Sequence, residues 1–433
     1  MAVSWLHRLA GLTPVPVFPA LGMGGDVVLR RLAQATNIEL VGSPRHASVL
    51  LVAGGVQPDL LEALRRVHDQ LPWPSSSLWF RCEPLPELED ATRIDDIEAL
   101  PGALAAIHRE LLLQRRGSSP RLLPDNPPNP WEGLGDDGHG GEGMMGGVPY
   151  GRPMAMNMHD DIRDGLTLDS LTFRIGPFFP AFPPGMSAEV TVQGDLVQSW
   201  TTQSLPHLVA LDPVFHDARQ RSVPIARLEL ARVRYHLHRL FHGLRLAGWE
   251  SAALHVLHLA MRLTSDSRAD ALRRRLERYG FFYLAALDGG VLEVEQARRV
   301  GGPASRAAGL DDDLRSEDAN YQRLGFSPVF HNAGDTRARW QQILAEIEQS
   351  LQLAKQAARE DLHTQNSVAI ETPRGPWSDE RCPTDASRLL DEIIPGLEWD
   401  SALATIASLD IAALSDWPLV EDKPLTRSEE RSS

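Results

Sequence analysis

Cysteine is almost missing from this chain of 433 residues, where Cys82 and Cys382 are the only two. They lie far apart and outside any paired motif, which leaves a disulfide framework, a thiolate zinc centre and a four-cysteine iron–sulfur site without ligands. Long apolar runs are missing too. The run at 49–56 is strand-sized, well short of the roughly 20 apolar residues a membrane-spanning helix needs, so no direct membrane span is expected. Basic charge is in deficit: 43 Lys and Arg stand against 58 Asp and Glu, a formal net charge of −15. Non-specific binding to nucleic acid or to an anionic lipid surface requires a net-positive face, so neither is an expected partner. Residues 1–8 do not set a basic segment before an apolar core and a small-residue cleavage site, and the expectation is a cytoplasmic location.

What is present is a globular composition, 42% hydrophobic and 23% charged, suited to two or three domains. Residues 38–116 read as a small α/β unit, with a strand at 49–52, a turn at Gly54-Gly55, an amphipathic helix over 60–71, a strand at 78–80 and a helix over 101–113. From 118 to 151 the chain turns Pro- and Gly-rich, as a linker would. Beyond it, 166–175 and 188–197 predict a β-hairpin, and the remainder is mainly helical. Ile225, Leu228, Val233, Leu237, Leu240 and Leu244 form one helical stripe, and Trp340, Ile343, Leu344, Ile347 and Leu351 form another behind the N-cap signal Gly334-Asp335-Thr336. Two such helices predict a bundle behind the hairpin.

Several residue sets invite chemistry. His238 and His242, at i and i+4 on the first helix, have a spacing that can serve one metal, but without an HExxH motif a structural role is the expectation. His139, Glu142, His159, Asp160 and Asp161 form a second metal constellation, weakened by the ordering entropy of its glycine-rich surroundings. The glycine run at 138–151 lacks the strand–loop–helix context of a nucleotide site, and Asp311-Asp312-Asp313 lacks a calcium-loop pattern and reads as a solvated turn. Glu229, Arg232 and His236 share a helix face, while Asp335, Arg337 and Arg339 read as a buried ionic network with a structural role.

The run Ser43-Pro44-Arg45-His46-Ala47, then Val49-Leu50-Leu51-Val52-Ala53-Gly54, then Leu64-Arg65-Arg66-Val67-His68-Asp69-Gln70-Leu71-Pro72 resembles the small, terminal-cluster subunit of respiratory complex I and nickel–iron hydrogenases. In that family an adjacent cysteine pair precedes this stretch; here 15–20 holds no cysteine, and Cys82, near the third family position, is expected to pack as a hydrophobe. The later chain resembles the large, quinone-chamber subunit. Glu229-Leu230-Ala231-Arg232 with His236-Leu237 matches a family helix; Gly289-Gly290-Val291, Gly302-Pro303 with Arg306, Asp313-Leu314-Arg315, Gly334-Asp335 with Arg337 and Arg339, Glu346, Glu371-Thr372-Pro373-Arg374-Gly375 and Ser408-Leu409-Asp410 follow in order.

The resemblance implies an α/β domain of flavodoxin-like small-subunit type over 1–117, a linker over 118–164, and an α+β large-subunit domain with hairpin and helical bundle over 165–433. It also implies what is lost. The family turn Gly-Pro-x-His-Pro reads Gly176-Pro177-Phe178-Phe179-Pro180, so Phe179 replaces the histidine that meets the quinone headgroup and cannot donate a proton. The two Cys-x-x-Cys pairs of a nickel–iron site are missing as well. No catalytic or cofactor-binding residue, iron–sulfur cluster or nickel–iron site is therefore expected. The implied role is a non-redox scaffold and coupling subunit of a complex-I-like membrane assembly, moving ions or inorganic carbon. Its implied place is peripheral, on the cytoplasmic side of the inner membrane, beside hydrophobic subunits related to complex I and antiporter subunits. Phe178, Phe179 and Phe182 are expected to form an exposed membrane-proximal turn. A divergent NADH–quinone oxidoreductase subunit that still binds quinone, and a metal-dependent hydratase, are the alternatives.

Overall fold

The computed structural model describes residues 13–88, 91–124, 170–284, 289–365 and 367–415. Five parallel strands open the fold: β1 (Val15–Leu21), β2 (Ile38–Leu40), β3 (Val49–Ala53), β4 (Ser76–Phe80) and β5 (Thr92–Ile94). Their order is β2-β1-β3-β4-β5, a doubly wound sheet whose order reverses between β1 and β3. Every residue of β3 and β4 is buried, as a parallel sheet covered on both faces requires. Helices α1 (Asp26–Leu32), α2 (Leu61–His68) and α3 (Leu100–Leu112) provide the cover. Leu32, Leu78, Leu104 and Ile107 fill one face, and Phe18, Leu50, Leu64 and Trp79 the other.

The unit does not stop at the expected boundary. Ser118 Oγ donates to Ser75 O at 3.1 Å, and the amides of Leu122 and Leu123 donate to the Asp69 carboxylate at 2.8–3.0 Å. Most of the expected linker, with His139, Glu142, His159, Asp160 and Asp161, lies outside the described residues.

After it come β6 (Ser170–Ile175), β7 (Ser187–Gln193) and β8 (Leu196–Ser204), an antiparallel meander. The expected strand over 188–197 is really nearly the whole of β7, a turn and the start of β8. Gly194, at φ +60°, makes that turn in a backbone region that few other residues enter without cost.

The rest is helical: α4 (Pro213–Gln220), α5 (Ile225–Leu246), α6 (Glu250–Met261), α7 (Asp270–Arg278), α8 (Val294–Val300), α9 (Gly302–Ala307), α10 (Thr336–Glu360) and α11 (Trp399–Leu409). Between α10 and α11 a small hairpin pairs β9 (Ile370–Thr372) with β10 (Gly375–Trp377). The two apolar stripes read from the sequence meet. Leu237, Leu240, Phe241 and Leu244 of α5 bury against Trp340, Ile343, Leu344 and Ile347 of α10, with α6 and α7 closing the core. Asp335 caps α10 by accepting from the Ala338 amide at 2.6 Å, as its position predicts.

The aromatic turn before β7 is where the expectation fails. Phe178 is only 6% exposed and joins the cluster of Phe18, Leu50 and Trp79 on one face of the parallel sheet. Phe182 is 5% exposed, edge-on to Trp200 at 5.6 Å and to the half-buried Phe179 at 5.0 Å. The turn is an internal joint between the two halves of the molecule, not an exposed apolar tip. Gly176, at φ +87°, allows it, since a Cβ there would sit 2.2 Å from Met186 O. Among the described residues no helix is long and apolar enough to cross a membrane.

Candidate functional site: a buried carboxylate–guanidinium network

The motifs scattered along the sequence converge in one place. Glu229, Arg232 and His236 lie on the inward face of α5 and are fully buried. Glu229 Oε1 accepts from the Tyr321 hydroxyl at 2.6 Å and from Arg232 Nε at 3.4 Å, and its Oε2 accepts from Arg315 Nη1 at 3.1 Å. Arg315 in turn grips Asp313 with two nitrogens, at 3.0 and 2.7 Å. From α9, Arg306 forks onto Glu346 of α10 at 2.8 and 3.0 Å, while its Nη1 reaches Glu371 of β9 at 3.0 Å and Asp313 at 3.5 Å. Arg232 Nη2 donates to the Glu371 carbonyl at 2.6 Å. His236 Nε2 stands 3.4 Å from Glu346, outside hydrogen-bond geometry, so neither ring nitrogen has a hydrogen-bond partner.

Electrostatics sort the carboxyls. Burial alone would raise all of them, because it penalises the charged form. Against burial, Arg232 and Arg315 hold Glu229 below the ordinary carboxylate range, Arg315 and Arg306 do so for Asp313, and Arg306 does so for Glu346. At Glu371 burial wins: helped by the Asp313 charge, it pushes the carboxyl up to about 8. Burial also lowers His236, with Glu346 opposing, and raises the Tyr321 hydroxyl well above its usual value.

A pH profile follows with two signs. The depressed carboxyls contribute stability that is present above the ordinary carboxylate pKa and lost as the pH falls through their folded values. Glu371 works in reverse, its contribution being full below its ordinary 4.5 and lost as the pH rises through about 8. Chemical denaturation midpoints are expected to fall on acidification below about pH 4; a flat acid limb would contradict the assignment. Tyr321→Phe leaves Glu229 with one donor fewer and is expected to cost about 1–3 kcal/mol in the same assay.

Beside this network sits a smaller one. Asp410, in left-handed conformation after α11, accepts from Tyr235 OH at 2.8 Å and lies 3.5 Å from both Arg239 Nε and Arg374 Nε.

Asp335, Arg337 and Arg339 do not form the ionic network expected of them. The Asp335 carboxylate is spent on the helix cap, and Arg337 Nε donates to Phe282 O at 3.0 Å. Arg339 is fully buried and donates to Gly290 O at 2.5 Å, Gly334 O at 2.7 Å, Ser408 Oγ at 2.8 Å and Thr336 Oγ1 at 2.9 Å. The reading of Asp311-Asp312-Asp313 as a solvated turn is also corrected. Only Asp311 is exposed; Asp312 accepts from Ser305 Oγ, and Asp313 is buried between two guanidiniums. Arg306, Asp313, Arg315, Glu346 and Glu371 are read in the sequence only as pieces of collinear motifs with no role assigned, and Tyr321 is missed altogether. An arginine or carboxylate flanked by buried-type neighbours, as in Gly302-Pro303-Ala304-Ser305-Arg306, is the signal that could have found them.

His238 and His242 project from α5 toward α1, not into the network. His238 is half-buried, and burial with Arg30 nearby lowers it to about 3. A cationic neighbour opposes metal binding, and among the described residues no group of three or more His, Cys, Asp or Glu could hold a metal ion. Cys82 is half-buried against the sheet cluster, where burial pushes its thiol up to about 12.

Fold and site together define a helical bundle knit by buried ion pairs, fronted by a β-meander and joined to a doubly wound sheet. Residues 259–394 match the family described as "Respiratory-chain NADH dehydrogenase, 49 Kd subunit". Arg306, Asp313, Arg315, Glu346 and Glu371 all fall within that stretch. A D-type subunit of NADH-quinone oxidoreductase from Salinispora arenicola is 33% identical over 157 residues, covering 34% of this chain and 39% of that protein. A D-type subunit of the same enzyme from Chloroherpeton thalassium is 36% identical over 116 residues, 25% of this chain and 26% of that protein. The chain therefore spans well under half the length of these curated relatives. A chain of the membrane-bound sulfane sulfur reductase, an archaeal respiratory membrane complex, superposes with a TM-score of 0.42 at 17% identity, covering 56% of this chain and 96% of that one.

Proposed function

We propose that this protein is a non-redox scaffold and coupling subunit of a complex-I-like membrane assembly. In this reading the parallel-sheet unit stands for the flavodoxin-like small subunit, and the meander with its bundle stands for the large one. The carrying observation is that motif residues from Glu229 to Glu371 come together as paired, buried charges, a use that holds helices in register. The sheet order and the burial of Phe178 between the halves support a fused pair of modules. Partners would be hydrophobic membrane subunits related to antiporters, the place the cytoplasmic face of the inner membrane, and the cargo an ion or inorganic carbon.

A quinone-binding subunit is the second reading, favoured by the names of the relatives. Phe179, turned onto Phe182, offers no proton where that chemistry asks for one. Fractionation of native extract, followed by detergent pull-down and identification of co-purifying chains, tests the scaffold reading. The expected result is recovery with membrane subunits, and with neither stoichiometric iron and sulfide nor saturable quinone binding. A free cytosolic monomer, or near-stoichiometric iron with sulfide, would overturn it.

A further inference from the structure

The network has one carboxylate too many. Glu229, Asp313, Glu346 and Glu371 face Arg232, Arg306 and Arg315, and every one of these side chains is at most 5% exposed. With all four carboxylates ionised and His236 neutral, the set carries an uncompensated negative charge away from water, which is strongly disfavoured. One proton restores balance, and the hydrogen bonds say where it belongs. Glu229 is served by two guanidiniums and a phenol, Asp313 by a bidentate arginine and a backbone amide, and Glu346 by a bidentate arginine and Gln342 Nε2. Glu371 is served worst. Its Oε1 shares Arg306 Nη1 with Asp313, and its Oε2 has a single 3.3 Å bond from the Leu314 amide.

We propose that this network stores one exchangeable proton at neutral pH and that Glu371 carries it. His236 is the rival carrier, since an imidazolium beside Glu346 would balance the set equally well. It is disfavoured by burial and by Arg232 and Arg239 nearby. The neighbouring set of Arg239, Arg374 and Asp410 has one cation over, but among the described residues it is not paired with the network's carboxylates. Asp312, 3.9 Å from Arg306, is partly exposed to water and lies outside the buried set. Arg239 and Arg374 share Asp410, and among the described residues no ion pair links them to Glu371. Release of the proton would change the charge where α5, α9, α10 and β9 meet, a place from which a protonation event can bias helix packing. The inference stands on the network alone and survives if the scaffold reading fails.

Infrared titration of the full chain, labelled with carbon-13 at the glutamate carboxyl, tests it. A protonated glutamic-acid carbonyl band is expected at about pH 6, far above where exposed glutamates ionise. It should disappear, one proton per chain, as the pH rises through about 8. Glu371→Gln should fold with an unchanged denaturation midpoint at about pH 6, because it replaces a neutral side chain with a neutral side chain, and should lack the titrating band. Absence of the band in the wild type, its persistence in Glu371→Gln, or failure of that variant to fold would each overturn the proposal. So would nitrogen-15 shifts that report an imidazolium at His236.

Discussion

Arg306→Met is expected to lower the unfolding free energy by about 3–5 kcal/mol, the usual cost of removing one partner from a buried ion pair. Arg306 is the single cation in contact with Glu346, Glu371 and Asp313 together, so its loss strands more than one carboxylate. Methionine fits the stem and lacks the charge, which separates lost pairing from lost volume. Arg306→Lys keeps the charge but cannot reproduce the fork onto Glu346, and should fall between wild type and Arg306→Met. Urea denaturation at about pH 7 gives the comparison. A change within about 0.5 kcal/mol for Arg306→Met, the range of ordinary surface substitutions, would mean that the network does not hold the bundle together. Because the missing guanidinium leaves carboxylates that can be neutralised, the variant should also regain part of its stability on mild acidification, beyond the gain that the wild type draws from Glu371 alone.

How much of this was legible follows from the range of the forces involved. The stripes of α5 and α10 and the cap at Asp335 are local, set by spacing and by a side chain within reach of its own helix end, and all three stand as the sequence implies. The β7–β8 turn is local too, but Gly194 and Asp195 sit inside an alternating run that reads equally well as one strand. Ion pairing is not local. Asp313 reads as one acid in a run of three until Arg306 arrives from α9, and Arg315 reads as a motif residue without a partner until Glu229, distant in sequence, is placed against it. Conversely, Asp335 and Arg339 look like a pair by spacing, but the helix N-terminus captures the carboxylate, and two oxygens of other segments together with those of Gly334 and Thr336 take the guanidinium. Sequence order could collect the network's members as collinear motifs. It could not say which of them touch.

The same limit explains the aromatic turn, where Phe178→Ala is expected to cost about 3–5 kcal/mol, as for a phenylalanine emptied from a core. Phe, Pro and Gly in a connecting segment look like exposed apolar surface as long as nothing is known to cover them. Here the covering face is the parallel sheet, with Phe18, Leu50 and Trp79. Losing the ring should therefore loosen the joint between the sheet unit and the meander before it unfolds either half. Hydrogen exchange and limited proteolysis ought to show faster opening of the turn at 176–186 in Phe178→Ala, with β3 and β4 still protected. Phe179→Ser is the contrasting variant, since that ring is only half-buried and its loss should cost less. Membrane recovery of Phe179→Ser should match the wild type, because a turn folded into the molecule offers little apolar area to a membrane subunit. If Phe178→Ala kept full stability while the protein left the membrane fraction, the turn would be an outward docking surface and its burial against the sheet would be wrong.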